Sequence, residues 1–245
     1  MLANSPTVEF VGPPGAGKST ICDRVAHQLG ARDLQIVERI DFRRITSDFY
    51  RQRSRPSRLA LFGAFLARHP QISAQMLRYG ATLRPRSPDL IRRAYRFARN
   101  LHNRHLLDHL HPASKRDLLL LEQGMIQCLF SWQRFSTSED DAALRRLLLA
   151  IAPQLPDLII FVDVPPEVVF KRLQQRIDRH GPLGEIDALD DLSADTFRTL
   201  AAQGLHLARA AADAHRATSI LRVDATQTPD VAADAIIEHL STRLL

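Results

Sequence analysis

An α/β fold wound around a parallel sheet is what this chain of 245 residues predicts. Five short apolar runs, at 8–11, 35–38, 118–121, 158–162 and 220–223, are continuous rather than alternating, as strands are when helices cover both faces of the sheet. Helical patterns lie between most of them, at 18–29, 166–178 and 201–215, and a last one at 229–244 closes the chain. This alternation predicts a doubly wound sheet with right-handed crossovers. The length suits one α/β domain with an elaboration, so residues 1–245 are taken as a single domain.

The first strand runs straight into Gly12-Pro13-Pro14-Gly15-Ala16-Gly17-Lys18-Ser19-Thr20, which satisfies G-x-x-x-x-G-K-[ST] after a strand and at the start of a helix. Glycines let backbone N–H groups turn inward around an anion, and the helix N-terminus adds its positive end. Lys18 is placed to reach the β- and γ-phosphates of a nucleotide, and Ser19 to ligate Mg²⁺. The second strand ends at Glu38. A carboxylate there faces the acceptor side of the crevice, where it orients or deprotonates a hydroxyl; an exposed loop acid is the equal alternative.

Some seventy residues without a convincing strand follow, broken by Pro56, Pro70, Pro85 and Pro112, and 43–116 is read as a helical insertion. It carries sixteen Arg and one Lys against three Asp, a net +14 in a chain whose total is +6, so the remainder stands at −8. Such polarity points to an anionic partner, with a solvated surface in an Arg-rich protein as the rival of similar weight. Ser87 can cap and Pro88 can open a helix reaching about Leu110. A helical wheel puts Ile91, Ala94, Tyr95, Ala98, Leu101 and Leu106 on its apolar face and Arg92, Arg93, Arg96, Arg99 and Arg104 on the other. Residues 58–70 are apolar with basic ends, a helix packed on the core before it is one lying on an acidic membrane. His105 and His109 have i, i+4 spacing, but an Arg-rich helix often carries His and no third fixed ligand accompanies them, so no metal is assigned there.

The third strand, "DLLLLEQG", ends in Glu122, an acid beside the expected Mg²⁺ and its waters. After the fourth strand, Asp163 reads as a cap for the next helix, which bears Arg172, Arg176 and Arg179 on one side. Arginines on a closing helix–loop neutralise charge on a moving phosphoryl group; a solvated basic stripe competes with this for any one of them. Cys22 and Cys128 have no CxxC spacing, and neither a leader pattern nor a spanning apolar run is evident, so a cytoplasmic protein is expected.

Three segments, "GPPGAGKST", "DLIIFVDVPPEVVFKRL" and "LARAAADAHRATSILRVDATQTPDVAADAIIEHL", together resemble the P-loop nucleoside and nucleotide kinase superfamily, above all its thymidylate-kinase-like branch. The resemblance covers about residues 5–42 and 117–245 and implies a three-layer fold on a five-stranded parallel sheet of order 2-3-1-4-5. It further implies ATP with Mg²⁺ as donor, a lid at 172–192 containing the three arginines, and an adenine-holding loop at Ala225 and Thr226. Two departures stand out: the acid–Arg pair after the third strand is here Glu122-Gln123, and the phosphate loop lacks an acid. Both argue against thymidylate as acceptor.

The expected activity is therefore transfer of the γ-phosphate of ATP to a small anionic acceptor such as a nucleoside, nucleotide or sugar phosphate. Two readings compete with it: a regulatory P-loop NTPase, and a polynucleotide kinase whose basic insertion grips nucleic acid. No N/T-K-x-D motif, and no D-x-x-G after the third strand, supports the switch. A homodimer is left open.

Overall fold

The computed structural model describes residues 6–32, 36–37, 51–52, 54–83, 88–110, 118–133, 140–180 and 193–244. Strands β1 (Thr7–Val11), β2 (Ile36–Val37), β3 (Leu118–Leu121), β4 (Leu158–Asp163) and β5 (Ser219–Asp224) form one parallel sheet in the order β2-β3-β1-β4-β5. β1 lies at its centre, with Val8 opposite Leu120 of β3 and Phe10 opposite Ile160 of β4. Every residue of β1 and β3 is buried, which explains why β3 reads as an uninterrupted apolar run and β1 as one broken only by Glu9 and opened by Thr7. β5 is an edge strand and most of its residues keep partial exposure.

Helix α1 (Lys18–Gly30) packs with the closing helix α9 (Pro229–Arg243). Helix α5 (Met125–Gln133) packs with α8 (Ala194–Ala214), and the two groups enclose the sheet. Gly204 of α8 permits this approach, since a Cβ there would lie 3.4 Å from the Phe161 ring. Helices α6 (Asp141–Ala150) and α7 (Pro166–His180) complete this part of the fold. Asp163 does not behave as the helix cap its sequence position suggested: its carboxylate accepts from Arg222 of β5 at 2.5 Å.

Within 43–116, the described residues form α2 (Arg55–Arg68), α3 (Pro70–Thr82) and α4 (Pro88–Leu110). The first is capped by Ser54, which accepts from the Ser57 N–H. Its Phe65 is buried, and Phe62 and Leu66 pack partly buried against the core. The rings of His69, His102 and His105 gather around Phe65 at centroid distances of 4.7, 5.1 and 5.9 Å.

The wheel for α4 is rotated relative to expectation. Ile91 and Tyr95, placed on the apolar face, are 75% and 44% exposed, whereas Phe97, Ala98, Leu101, His102 and Leu107 are buried. Two arginines assigned to the outer face turn inward. Arg93 donates to the Ser131 carbonyl at 2.6 Å and Arg104 to Thr7 Oγ1 at 3.0 Å. The surface that α4 covers offers polar acceptors as well as apolar area, and long arginine stems bury their methylenes while delivering the charge to those acceptors. A wheel that sorts residues only by hydropathy misses this.

Trp132 of α5 joins the insertion to the core. Its ring lies edge-on to Tyr79 of α3 at 5.3 Å and tilted against Phe97 of α4 at 5.5 Å, all three fully buried. Trp132→Ala should cost about 3–5 kcal/mol in chemical denaturation, with α3 and α4 losing hydrogen-exchange protection before the sheet does.

Candidate functional site

A cavity of about 590 Å³ opens beyond the carboxyl ends of β1, β3 and β4, the edge at which open α/β sheets bind ligands. Its floor is the loop between β1 and α1. Gly15 and Gly17 have φ values of 79° and 94°, in the left-handed region where a side chain costs about 1–2 kcal/mol. Gly17 is the N-cap of α1, no side chain caps this helix and its first turn contains no acid. Four other helices receive a side-chain cap, from Ser54, Asp140, Ser193 and Thr228. The amide groups of α1 are thus left for a ligand, and the positive end of the helix is not neutralised.

Lys18 is 8% exposed and its ammonium donates to the carbonyls of Gly12 and Pro13 at 2.9 and 2.8 Å. Burial pulls its pKa from 10.5 down to about 7. Ser19 Oγ donates to Glu122 Oε1 in a very short hydrogen bond, which brings the hydroxyl and the carboxylate expected to hold Mg²⁺ side by side. One hydroxyl, one carboxylate, phosphate oxygens and water form an ordinary Mg²⁺ environment, so this pair fits the ion without an all-protein cage.

Arg172 spans the cavity. Its guanidinium donates to the Ala16 carbonyl at 3.4 Å and to the Ala225 carbonyl at 2.9 Å, tying the phosphate loop to the loop after β5. Arg176 also lines the cavity, as do Gln123, Gln127, Ser131 and Gln227. The third arginine of the stripe, Arg179, is exposed on α7 and is not among the lining residues described. Of Ala225 and Thr226, only the first lines the cavity. Thr226 instead donates to Asp224 through its amide at 2.8 Å and its hydroxyl at 2.7 Å, which lowers the Asp224 pKa and shapes the turn. Thr20 and Pro14 line the cavity, whereas Gly12 and Pro13 contribute carbonyls to Lys18. Glu38 and the second half of the expected lid lie outside the described residues.

Two residues with a part in this site carry no sequence motif. Glu9, in the middle of β1, is 1% exposed and accepts from the Gln127 N–H at 2.7 Å. Gln127 in turn accepts from the Gly12 N–H at 3.2 Å. An acid inside the apolar strand "TVEFV" is the signal that could have found Glu9; no such signal marks Gln127.

No protein-family model and no curated protein matches the chain. Among solved structures, deoxyadenosine kinase from M. mycoides with bound dCTP superposes with a TM-score of 0.51 at 12% identity, covering 96% of this chain and 99% of that one. The same kinase with bound dATP gives 0.50 over the same shares. The chain shares the fold of that kinase. In this kinase fold the glycine-rich turn, Lys18 and the Ser19–Glu122 pair occupy one end of the sheet, and α2, α3 and α4 belong to the insertion between β2 and β3. Among the described residues, no helix is long and apolar enough to cross a membrane.

Lys18 supplies a pH test. Between about 7 and its ordinary 10.5 the unfolded chain holds a proton that the folded one lacks, so this residue makes stability rise with pH across that window. A polyphosphate beside the amine favours the charged form. Nucleotide binding near pH 8 should therefore take up protons from the buffer, read by calorimetry in buffers of different ionisation enthalpy, and Lys18→Met should abolish the uptake.

Proposed function

We propose that the chain is a phosphotransferase that uses ATP and Mg²⁺ to phosphorylate a small anionic acceptor. The observation that carries this reading is the uncapped start of α1, with Lys18 and the Ser19–Glu122 pair beside it in one cavity. Phosphoryl transfer asks the protein for little covalent chemistry; positioning and charge neutralisation do most of the work.

The amides from Gly15 to Ser19 bind the phosphates, and Lys18 leaves the carbonyls of Gly12 and Pro13 to meet them as its proton returns. Mg²⁺, held by Ser19 and Glu122, would supply charge neutralisation along the polyphosphate. Arg172 and Arg176 bring positive charge from α7 into the cavity, Arg172 beside the Gly17 start of α1, and Arg172 keeps the loop after β5 close to the phosphate loop. Ala225 and Gln227 line the cavity where the base of the donor would lie. The acceptor enters on the side of Gln123, Gln127 and Ser131. Those are neutral groups under a strongly basic insertion, a setting that suits an anion able to accept hydrogen bonds. Glu38 is the proposed residue for orienting or deprotonating the acceptor hydroxyl.

Incubation with labelled ATP and Mg²⁺ against pooled nucleosides, nucleotides, sugar phosphates and oligonucleotides tests the reading. Label is expected on a small anionic species. Label on oligonucleotide ends would move the acceptor to nucleic acid, and release of phosphate to water alone would mean a switch. Lys18→Ala should lower transfer by about 100-fold or more, with its melting temperature showing that it is folded.

A further inference from the structure

We propose that Glu9 is a positioning residue of the phosphate loop, acting through Gln127 on the amide of Gly12, so that its ionisation sets how firmly the loop is held. The inference rests on the nucleotide-binding reading above, but the relay is a property of the ligand-free chain.

The geometry is a chain of three contacts. Four consecutive backbone amides at the start of α5, those of Gly124, Met125, Ile126 and Gln127, favour the Glu9 carboxylate in its charged form, and the Gln127 N–H reaches Oε1 at 2.7 Å. The Gln127 side chain then accepts from the Gly12 N–H at 3.2 Å. On the far side of the same residue, the Gly12 carbonyl accepts from Lys18 at 2.9 Å. Gly12, which opens the loop, is thereby gripped at both its amide and its carbonyl. Gly124 is built for this arrangement: a Cβ there would stand 2.4 Å from the Glu9 carboxylate.

Both groups that join the relay are inside the protein, Glu9 at 1% and Gln127 at 8% exposure. A buried acceptor that loses its charge is a weaker partner for the amides around it. Burial raises the Glu9 pKa from 4.5 to about 7, outweighing the amides that favour the anion. The other charged groups described near its face of β1 are few. Arg104 of α4 donates to Thr7 Oγ1, and Asp157, ahead of β4, accepts from the Thr7 N–H at 2.7 Å. Glu9 is opposite Leu121 on β3 and Ile159 on β4. Farther along, Glu122 turns to Ser19 and Lys18 to Gly12 and Pro13.

The sign follows. Above its pKa, Glu9 is an anion, α5 is anchored and Gln127 holds Gly12. As pH falls through neutrality the carboxyl takes up a proton, the anchor weakens and the loop should bind phosphate less well. Lys18 titrates in the same neutral range, and the comparison with Gln127→Leu, in which Lys18 is intact, isolates the Glu9 limb.

Dissociation constants for a fluorescent adenine nucleotide, measured between about pH 5.5 and 8.5 for wild type, Glu9→Gln, Gln127→Leu and the double variant, test the relay. On acidification the wild type should lose about fivefold more affinity than Gln127→Leu, which keeps Glu9 and Lys18 but breaks the link to Gly12. Glu9→Gln should likewise lack the acid limb, and the double variant should bind no more weakly than the weaker single variant. In ligand-free Lys18→Met protein, which removes the other group at Gly12 that titrates near neutrality, the Gly12 amide resonance should titrate with the midpoint of the Glu9 carboxyl and stay fixed once Gln127→Leu is added. If Glu9→Gln does not fold, Gln127→Leu decides alone. Equal acid limbs in wild type and Gln127→Leu, additive losses, or a Gly12 resonance indifferent to Glu9 would overturn the relay. A wild type that binds no nucleotide, yet whose Gly12 resonance follows Glu9, would support the relay and sink the nucleotide reading instead.

Discussion

A helix whose first amides must stay available to a ligand cannot be finished in the usual way. Four of the described helix starts are closed by a hydroxyl or carboxylate, but α1 begins at Gly17 with no such partner and no acid in its first turn. Leaving those donors open forgoes the roughly 1 kcal/mol that a side-chain cap contributes. The neighbouring structure has to hold the turn in place, and much of the architecture around it answers that demand.

The support comes from buried polar groups, which are costly unless each has a partner. Lys18 folds onto two carbonyls of its own loop, Ser19 reaches Glu122, and Gly12 is held by Gln127. The central position of β1 puts the loop within reach of β3, β4 and α5 at once, so each contact arrives from a different element. The same placement explains the opposed shifts of Glu9 and Lys18. Burial disfavours both charges, raising the acid and lowering the base to about 7, and each has ionic character that a ligand or a pH change within the neutral range can tip.

The insertion is attached by a different kind of chemistry. An aromatic cluster of Tyr79, Phe97 and Trp132 joins α3, α4 and α5, while Arg93 and Arg104 add directional hydrogen bonds from α4 to the core. Some of the arginine excess in this segment is therefore structural. What remains on the outer faces is the charge available to an anionic partner, and it is smaller than the net +14 of the segment suggests.

The α/β class, the phosphate loop and the juxtaposed roles of Lys18, Ser19 and Glu122 were legible in the sequence because each depends on short-range features. Glycines at fixed offsets set local backbone angles, and a short apolar run bounded by turn residues and followed by a helical pattern reads as a buried strand. The stripe on α7 was legible as a stripe, but the number of its arginines that meet the cavity was not, because that depends on how far along α7 the cavity extends. The seating of α4, the hold of Arg172 on Ala225 and the relay from Glu9 belong to tertiary structure. Glu9 and Gln127 lie 118 positions apart, and whether an acid in a strand is an exposed edge residue or a buried anchor is decided by which helix start lands against it. No local pattern encodes that landing; it follows from the closing of the whole sheet and its helices around β1.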